Sequence, residues 1–153
     1  MTSSSTNTHG TRAPTQYCTF RLGDLTLGIE VGKVQEVLRQ GELTPVPLAP
    51  PHVRGLINLR GQIVTAIDLR PQLGLGTDGP LGACAVVQAG DETISLLVDE
   101  VGDVVTPPVD DYEEIPAGVP ERVRAVISGT YKLAGRLLLV LDLARVASQL
   151  LSL

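Results

Sequence analysis

Apolar residues along this chain fall in short bursts separated by glycine, proline and acidic positions. Ile94, Leu96 and Val98 recur with period two, the pattern of a half-buried strand. Ile63-Val64 and Leu137 to Leu141 are brief apolar runs, closed by Asp68 and Asp142. Phe20 and Leu22 precede Gly23-Asp24, and Val86 and Val87 precede Gly90-Asp91, as strands entering hairpin turns would. Many short strands with frequent Gly and Pro predict a mainly β domain, a barrel or a sandwich. Helical spacing is rarer. Leu143, Val146, Ala147 and Leu150 predict a C-terminal helix capped by Asp142, and a shorter helical turn is expected around Val31 to Leu38.

The pattern is written twice. GLINLRGQIVTAIDL, Gly55 to Leu69, aligns without gaps with GTYKLAGRLLLVLDL, Gly129 to Leu143. Ahead of it, GDLTLGIEVGKVQEV, Gly23 to Val37, aligns with GDETISLLVDEVGDV, Gly90 to Val104. The order is the same in both halves, so the repeated blocks lie near 20–69 and 87–143. Two copies are too few for a solenoid. They predict a pair of similar units sharing one core. GLGTDGPLG, Gly74 to Gly82, joins the halves as a loop, and the acidic, proline-rich stretch 106–124 reads as a surface loop in the second half. Residues 1–15 read as a flexible polar tail before a domain over 16–150.

Composition narrows the function. The chain has 153 residues, 43% of them hydrophobic, with a net charge of −5 and no tryptophan. Dispersed acidic residues and few aromatics oppose binding to nucleic acid, which needs clustered cations or stacking platforms. No apolar run approaches the length needed to span or insert into a membrane, and the N-terminus lacks a secretory pattern. Cys18 and Cys84 are expected as buried small hydrophobes in a cytoplasmic protein.

Candidate chemistry is thin. Gly74, Gly76 and Gly79 spell a G-x-G-x-x-G, but Pro80 follows where a dinucleotide site requires a helix, so a connector is expected. His9 lies in the tail and His52 in a proline-rich connector, where surface placement is expected and no metal set forms. Asp68 and Asp142 read as helix caps, and Asp110, Asp111, Glu113 and Glu114 as a solvated face. No catalytic constellation, cofactor or metal is predicted.

Differences between the copies are more telling. The tip of the first reads Asn58-Leu59-Arg60-Gly61 and that of the second Lys132-Leu133-Ala134-Gly135, so only the first displays an arginine. Arg60 beside a tight turn suits an interface anchor, because a guanidinium pairs bidentately with carboxylates and stacks on flat groups. Val34-Gln35-Glu36 faces Val101-Gly102-Asp103 in the alignment, and Glu36 suits a charge that selects partners.

At these residues the chain resembles the CheW family of bacterial chemotaxis coupling proteins. VRGLINLRGQIVTAIDLR, Val53 to Arg70, carries the likeness, with FRLGDLTLGIEVGKVQEVL, Phe20 to Leu38, and GRLLLVLDLARV, Gly135 to Val146, supporting it over roughly residues 16 to 150. The resemblance implies two small five-stranded SH3-like β-barrels around a shared hydrophobic core, with a few short helices. It implies a non-catalytic cytoplasmic scaffold linking the cytoplasmic tips of transmembrane chemoreceptors to the regulatory domain of a histidine kinase, reaching membrane-associated arrays through those partners. By that resemblance Val34 and Glu36 match positions tied to partner binding. Gly55 and Arg60 fall in the motif associated with receptor and kinase coupling, and Asn58 neighbours it, so all five are expected to be protein-binding. A same-fold adaptor of a non-motility array and a nucleic-acid-binding small barrel are the alternatives.

Overall fold

A computed structural model describes residues 13–39 and 41–151. The tail expected over 1–15, up to residue 12 and with it His9, lies outside the described residues. In the first half, the strands are β1 (Tyr17–Leu22), β2 (Leu25–Glu30), β3 (Val34–Arg39), β4 (Val53–Leu59) and β5 (Gln62–Asp68), followed by helix α1 (Arg70–Leu73). The second half adds β6 (Ala83–Ala89), β7 (Glu92–Val98), β8 (Glu100–Val105), β9 (Tyr112–Glu113), α2 (Glu121–Arg124), β10 (Ile127–Leu133), β11 (Arg136–Leu141) and α3 (Leu143–Val146). The protein is mainly β with a few short helices, as its patterning predicts. The expected C-terminal helix is α3, which continues as a π turn through Leu151.

One helical expectation fails. Only Val31–Lys33 turns, as a 3₁₀ element, and Val34 opens a strand. Val34, Glu36 and Leu38 are half-buried while Gln35, Val37 and Arg39 are exposed, a period of two. Pairing with β6 sets the conformation here, and the β-branched valines suit it.

The two copies exchange hairpins. One sheet runs β8-β1-β2-β11-β10-β9 and the other β3-β6-β7-β5-β4. The opening hairpin of each copy therefore pairs with the closing hairpin of the other. The junctions are parallel, and their registers are equivalent: Leu27 faces Leu139 in one sheet, and Ile94 faces Thr65 in the other. Even the irregularities repeat, with a bulge between Val53 and Gly55 and another between Ile127 and Gly129. The resemblance implied two small barrels, but the backbone pairings leave both sheets open. β3 and β4 are the edges of the five-stranded sheet, joined by no ladder among the described residues, and β4 carries a single bridge from Leu56 to Thr44.

One core unites the halves. Phe20, Leu22, Leu27 and Ile29 from the first copy pack in the same cluster as Val87, Ile94, Leu96 and Ile127 from the second. β7 lies mid-sheet, so Ser95 and Leu97 are buried along with Ile94, Leu96 and Val98. Burial on both faces replaces the half-buried strand expected from the alternation. Cys84 is buried, Cys18 is half-buried, and both are free thiols. Gly74 ends α1 and the following loop leads into β6, so the glycine triplet runs from helix to strand, the reverse of a dinucleotide site. Asp110, Asp111, Glu113 and Glu114 are all exposed, although the loop they occupy contains β9 and a 3₁₀ turn.

Gly55 holds the bulge open. Its φ is 150°, and a Cβ there would lie 2.6 Å from the Thr44 carbonyl oxygen, on a segment whose backbone bonds Leu56 in both directions. At the equivalent Gly129 the neighbour is the Tyr112 side chain, whose displacement would cost its hydrogen bond to the Ser128 carbonyl and its contact with Tyr131 but no backbone hydrogen bond of the bulge. Gly55→Ala is expected to destabilise the fold by about 2 kcal/mol or more and Gly129→Ala by clearly less. Urea denaturation of the two variants checks the difference, and equal losses would refute it.

Candidate protein-binding site

The hairpin joining β4 to β5 turns on Arg60 and Gly61, with φ of 54° and 86°. Positive φ at both central residues is the arrangement that matches the twist of paired strands. Gly61 adopts it freely, whereas arginine does so against its steric preference. Asn58 helps to hold the turn, its Oδ1 accepting from the Gly61 N–H at 2.9 Å. The result is a guanidinium projected from a fixed backbone, with 77% of the side chain exposed.

Its partner comes from the far edge of the same sheet. Arg60 Nη1 and Nη2 donate to the two carboxylate oxygens of Glu36 on β3. β3 and β4 are opposite edges, so the sheet must curl until its margins face each other, and the ion pair spans the opening between them. Glu36 shares the inward face of β3 with Val34 and Leu38, and its side chain is only 24% exposed. A half-buried carboxylate requires a donor. The hydrogen bonds from Arg60 hold its carboxyl below the usual range. Beside the pair, Leu38, Arg39, Leu56, Asn58, Leu59 and Cys84 line a groove of about 350 Å³ between the two edges.

Of the residues singled out from sequence, Glu36, Asn58 and Arg60 thus converge at one end of the groove. Val34 stands at the start of β3, half-buried against the core. Gly55 is buried at the other end of β4 and acts on the site only by shaping the strand that carries Asn58. The other sheet carries a pocket of similar volume in the equivalent place, but its lining is aromatic and polar, with Tyr17, Glu30, Tyr112, Ser128 and Tyr131. The positions equivalent to Cys84 and Ile57 hold Tyr17 and Tyr131, with ring centroids 5.6 Å apart, and Tyr112 packs edge-on at 5.3 Å from Tyr131. The chain's three tyrosines all line that one opening.

Comparison with known proteins supplies the family. The CheW-like domain profile matches residues 16–151. The chain belongs to the CheW family. It is 29% identical to the chemotaxis protein CheW of Rhizobium meliloti over 137 residues, covering 88% of each chain. It is 31% identical to CheW of Bacillus subtilis over 127 residues, 80% of each, and 34% identical to protein FrzA of Myxococcus xanthus over 111 residues, 64% of this chain and 68% of that one. The crystal structure of the scaffolding protein TtCheW from Thermoanaerobacter tengcongensis superposes with a TM-score of 0.77 at 27% identity, covering 84% of this chain and 89% of that one.

At the other end of β4 this CheW-family chain carries a charge cluster that sequence reasoning missed. Asp68, expected as a cap, is 0% exposed and accepts from Arg54 Nε at 2.9 Å and Arg70 Nη2 at 2.9 Å. It does receive the Arg70 backbone N–H, at 2.9 Å, as a cap would. Arg70 then reaches the carbonyls of Asp78 and Gly79, fastening the inter-half loop. Arg54 and Arg70 align with Ser128 and Ala144 in the other copy. Asp142 is accordingly a true cap, accepting from the Arg145 N–H at 3.1 Å. A signal existed: Arg54 and Arg70 stand where the other copy has neutral residues, Ser128 and Ala144. His52, expected on the surface, is half-buried, and its Nε2–H donates to the Leu150 carbonyl at 2.8 Å, tying the loop before β4 to the C-terminal turn.

Burial alone would push Asp68 up, but the hydrogen bonds from Arg70 and Arg54 outweigh it and hold the carboxyl below its usual 3.8. A depressed carboxyl stabilises the fold fully above its unfolded pKa and loses that contribution as the pH falls through the folded one. Asp68→Asn leaves the buried Arg70 without its counter-charge and is expected to cost about 3 kcal/mol or more near neutrality. The deficit should narrow as the pH falls below about 4. Denaturation across pH measures it, and a pH-independent deficit would contradict the assignment.

Proposed function

We propose that this CheW-family chain is a non-catalytic scaffold joining chemoreceptors to a histidine kinase, and that the opening between β3 and β4 is one of its partner surfaces. The observation that carries the reading is the Arg60–Glu36 pair: an exposed guanidinium on a rigid turn, held by a carboxylate across two sheet margins. Such an arrangement is a poor way to gain stability, since exposed ion pairs contribute little to folding. It is a good way to present a polar anchor already fixed in orientation, which reduces what a partner must immobilise.

Val34, Glu36, Gly55, Asn58 and Arg60 make up this surface in different roles. Arg60 and Asn58 meet the partner, Glu36 orients Arg60, and Val34 and Gly55 set the two edge strands. The partners are the regulatory domain of the kinase and the cytoplasmic tip of the receptors, so the protein works in the cytoplasm at the receptor membrane. No helix of the described residues is long and apolar enough to cross a bilayer, which fits attachment through partners. The scaffold needs no bond chemistry for this task. Holding two proteins together raises their effective concentration and fixes their geometry. Receptor state then biases the kinase through contacts that differ between states.

The test is co-purification of the chain with the kinase regulatory domain and a receptor tip fragment, followed by titration of each. Arg60→Ala is expected to leave the Tm within about 2 °C and to weaken at least one of the two affinities about 30-fold. Unchanged affinity for both partners would remove Arg60 from the interface, and failure of the unmodified chain to capture either would sink the scaffold assignment.

A further inference from the structure

Only two non-glycine residues among those described have positive φ, Arg60 and Leu48. Backbone strain of this kind persists where the surrounding structure compensates it or where function requires it. At Arg60 the compensation is visible in Asn58 and Glu36. At Leu48 none is visible: the side chain is fully exposed and packs on nothing.

Leu48 lies at a defined corner. Ala49 N–H donates to the Val46 carbonyl at 3.3 Å, closing a turn whose central residues are Pro47 and Leu48. With φ of 62° at Leu48, this is the turn that places proline first and calls for glycine or asparagine second. The molecule contains its own control. In the other copy the connection to β10, the strand equivalent to β4, makes the matching turn, Val119 N–H to the Pro116 carbonyl at 3.4 Å, and there the corner is Gly118, with φ of 93°. One copy thus uses the relaxed residue, and the other puts a bare leucine in the same strained place.

Resting on the scaffold reading above, we propose that Leu48 is an apolar anchor that enters a hydrophobic cleft on a partner protein, forming a second interface separate from the Arg60 groove. The loop is stiffened by Pro45, Pro47, Pro50 and Pro51, so the leucine is presented with little freedom left to lose. Half-exposed Val46 extends the apolar tip. The loop enters β4 at Val53, and Arg60 follows the end of that strand, placing the two sites roughly 20 Å apart along it. A linker of two proteins needs such separation. The chemistry of the rim selects the occupant. From Leu43 to Val53 there is no Asp, Glu, Lys or Arg, and no tryptophan or tyrosine. A membrane-inserting tip would carry cationic or aromatic flanks, so the surface fits an apolar protein cleft and not a lipid surface.

The test uses the full chain with Leu48→Gly and Leu48→Ala. The probes are the kinase regulatory domain, the receptor tip fragment, and vesicles of mixed zwitterionic and anionic lipid. Leu48→Gly is expected to raise the Tm by about 2 °C or more, because it removes the strain, while weakening one of the two protein affinities about tenfold or more. Leu48→Ala keeps the strained backbone, so it should lose affinity without the gain in Tm. A chain in which Leu48→Gly binds both proteins as the unmodified one does overturns the anchor alone. Vesicle binding that depends on Leu48 overturns it in favour of a membrane, and a dimer that Leu48→Gly dissolves overturns it in favour of a second copy. An unmodified chain that binds neither protein takes down the scaffold reading and this proposal together.

Discussion

Everything in this molecule depends on two parallel strand pairings, β2 with β11 and β5 with β7. Antiparallel hairpins form locally, but parallel neighbours have no short connection and here come from opposite halves of the chain. Neither sheet has a middle until the other half arrives. The cost is a topology dominated by distant contacts, which slows folding. The gain is a body in which the two halves of the chain cannot move apart without breaking central ladders. For a protein whose proposed task is to hold two others at a fixed geometry, that stiffness is the useful property. The same crossing also builds the candidate site. The chain leaves β2 in one sheet, makes the turn Val31–Lys33 and enters the other sheet as β3, which carries Glu36 to the margin facing Arg60.

Duplication supplied the frame, and a handful of replacements made its two openings different. In one sheet Tyr17, Tyr112 and Tyr131 line the opening with rings, and burial pushes the Tyr17 phenol up, so it stays protonated. In the other, aliphatic residues such as Leu38, Leu56 and Leu59 line the groove, and Arg54 and Arg70 surround Asp68 where the other copy has Ser128 and Ala144. A buried carboxylate between two guanidiniums is weak evidence for added stability, since desolvation offsets much of the attraction. Its visible effect is geometric: it ties β4, α1 and the loop between halves to one point at the end of β4 away from Arg60.

The repeat, the mainly β character, the C-terminal helix and the family were legible in the chain because they rest on local spacing: paired glycines, apolar runs closed by Asp-Leu, and a cap before an apolar stripe. What was hidden was non-local. Nothing in the spacing of Val31 to Leu38 distinguishes a helical turn from an edge strand, because the deciding partner, β6, lies in the other half. Asp68 and Asp142 occupy equivalent places and differ only in the side chains that converge on them. Glu36 and Arg60 were each singled out, yet their contact depends on the curl of a sheet whose composition from both halves no periodicity announces.

The way Arg60 is held also limits what can recognise it. Both terminal nitrogens of the guanidinium are engaged by Glu36, while Nε has no partner among the described residues. A partner that offered a second carboxylate in the plane of the fork would meet the Glu36 charge at close range, an unfavourable approach. The flat face of the guanidinium and its Nε edge remain, together with the Asn58 amide beside them, and these suit stacking and neutral acceptors. Glu36 therefore does more than hold its neighbour: on the proposed reading it filters partners by excluding those that would compete for the same two hydrogen bonds. Specificity of this kind comes from a repulsive element built next to the attractive one, and it explains why a side chain so exposed is paired within the molecule before any partner arrives.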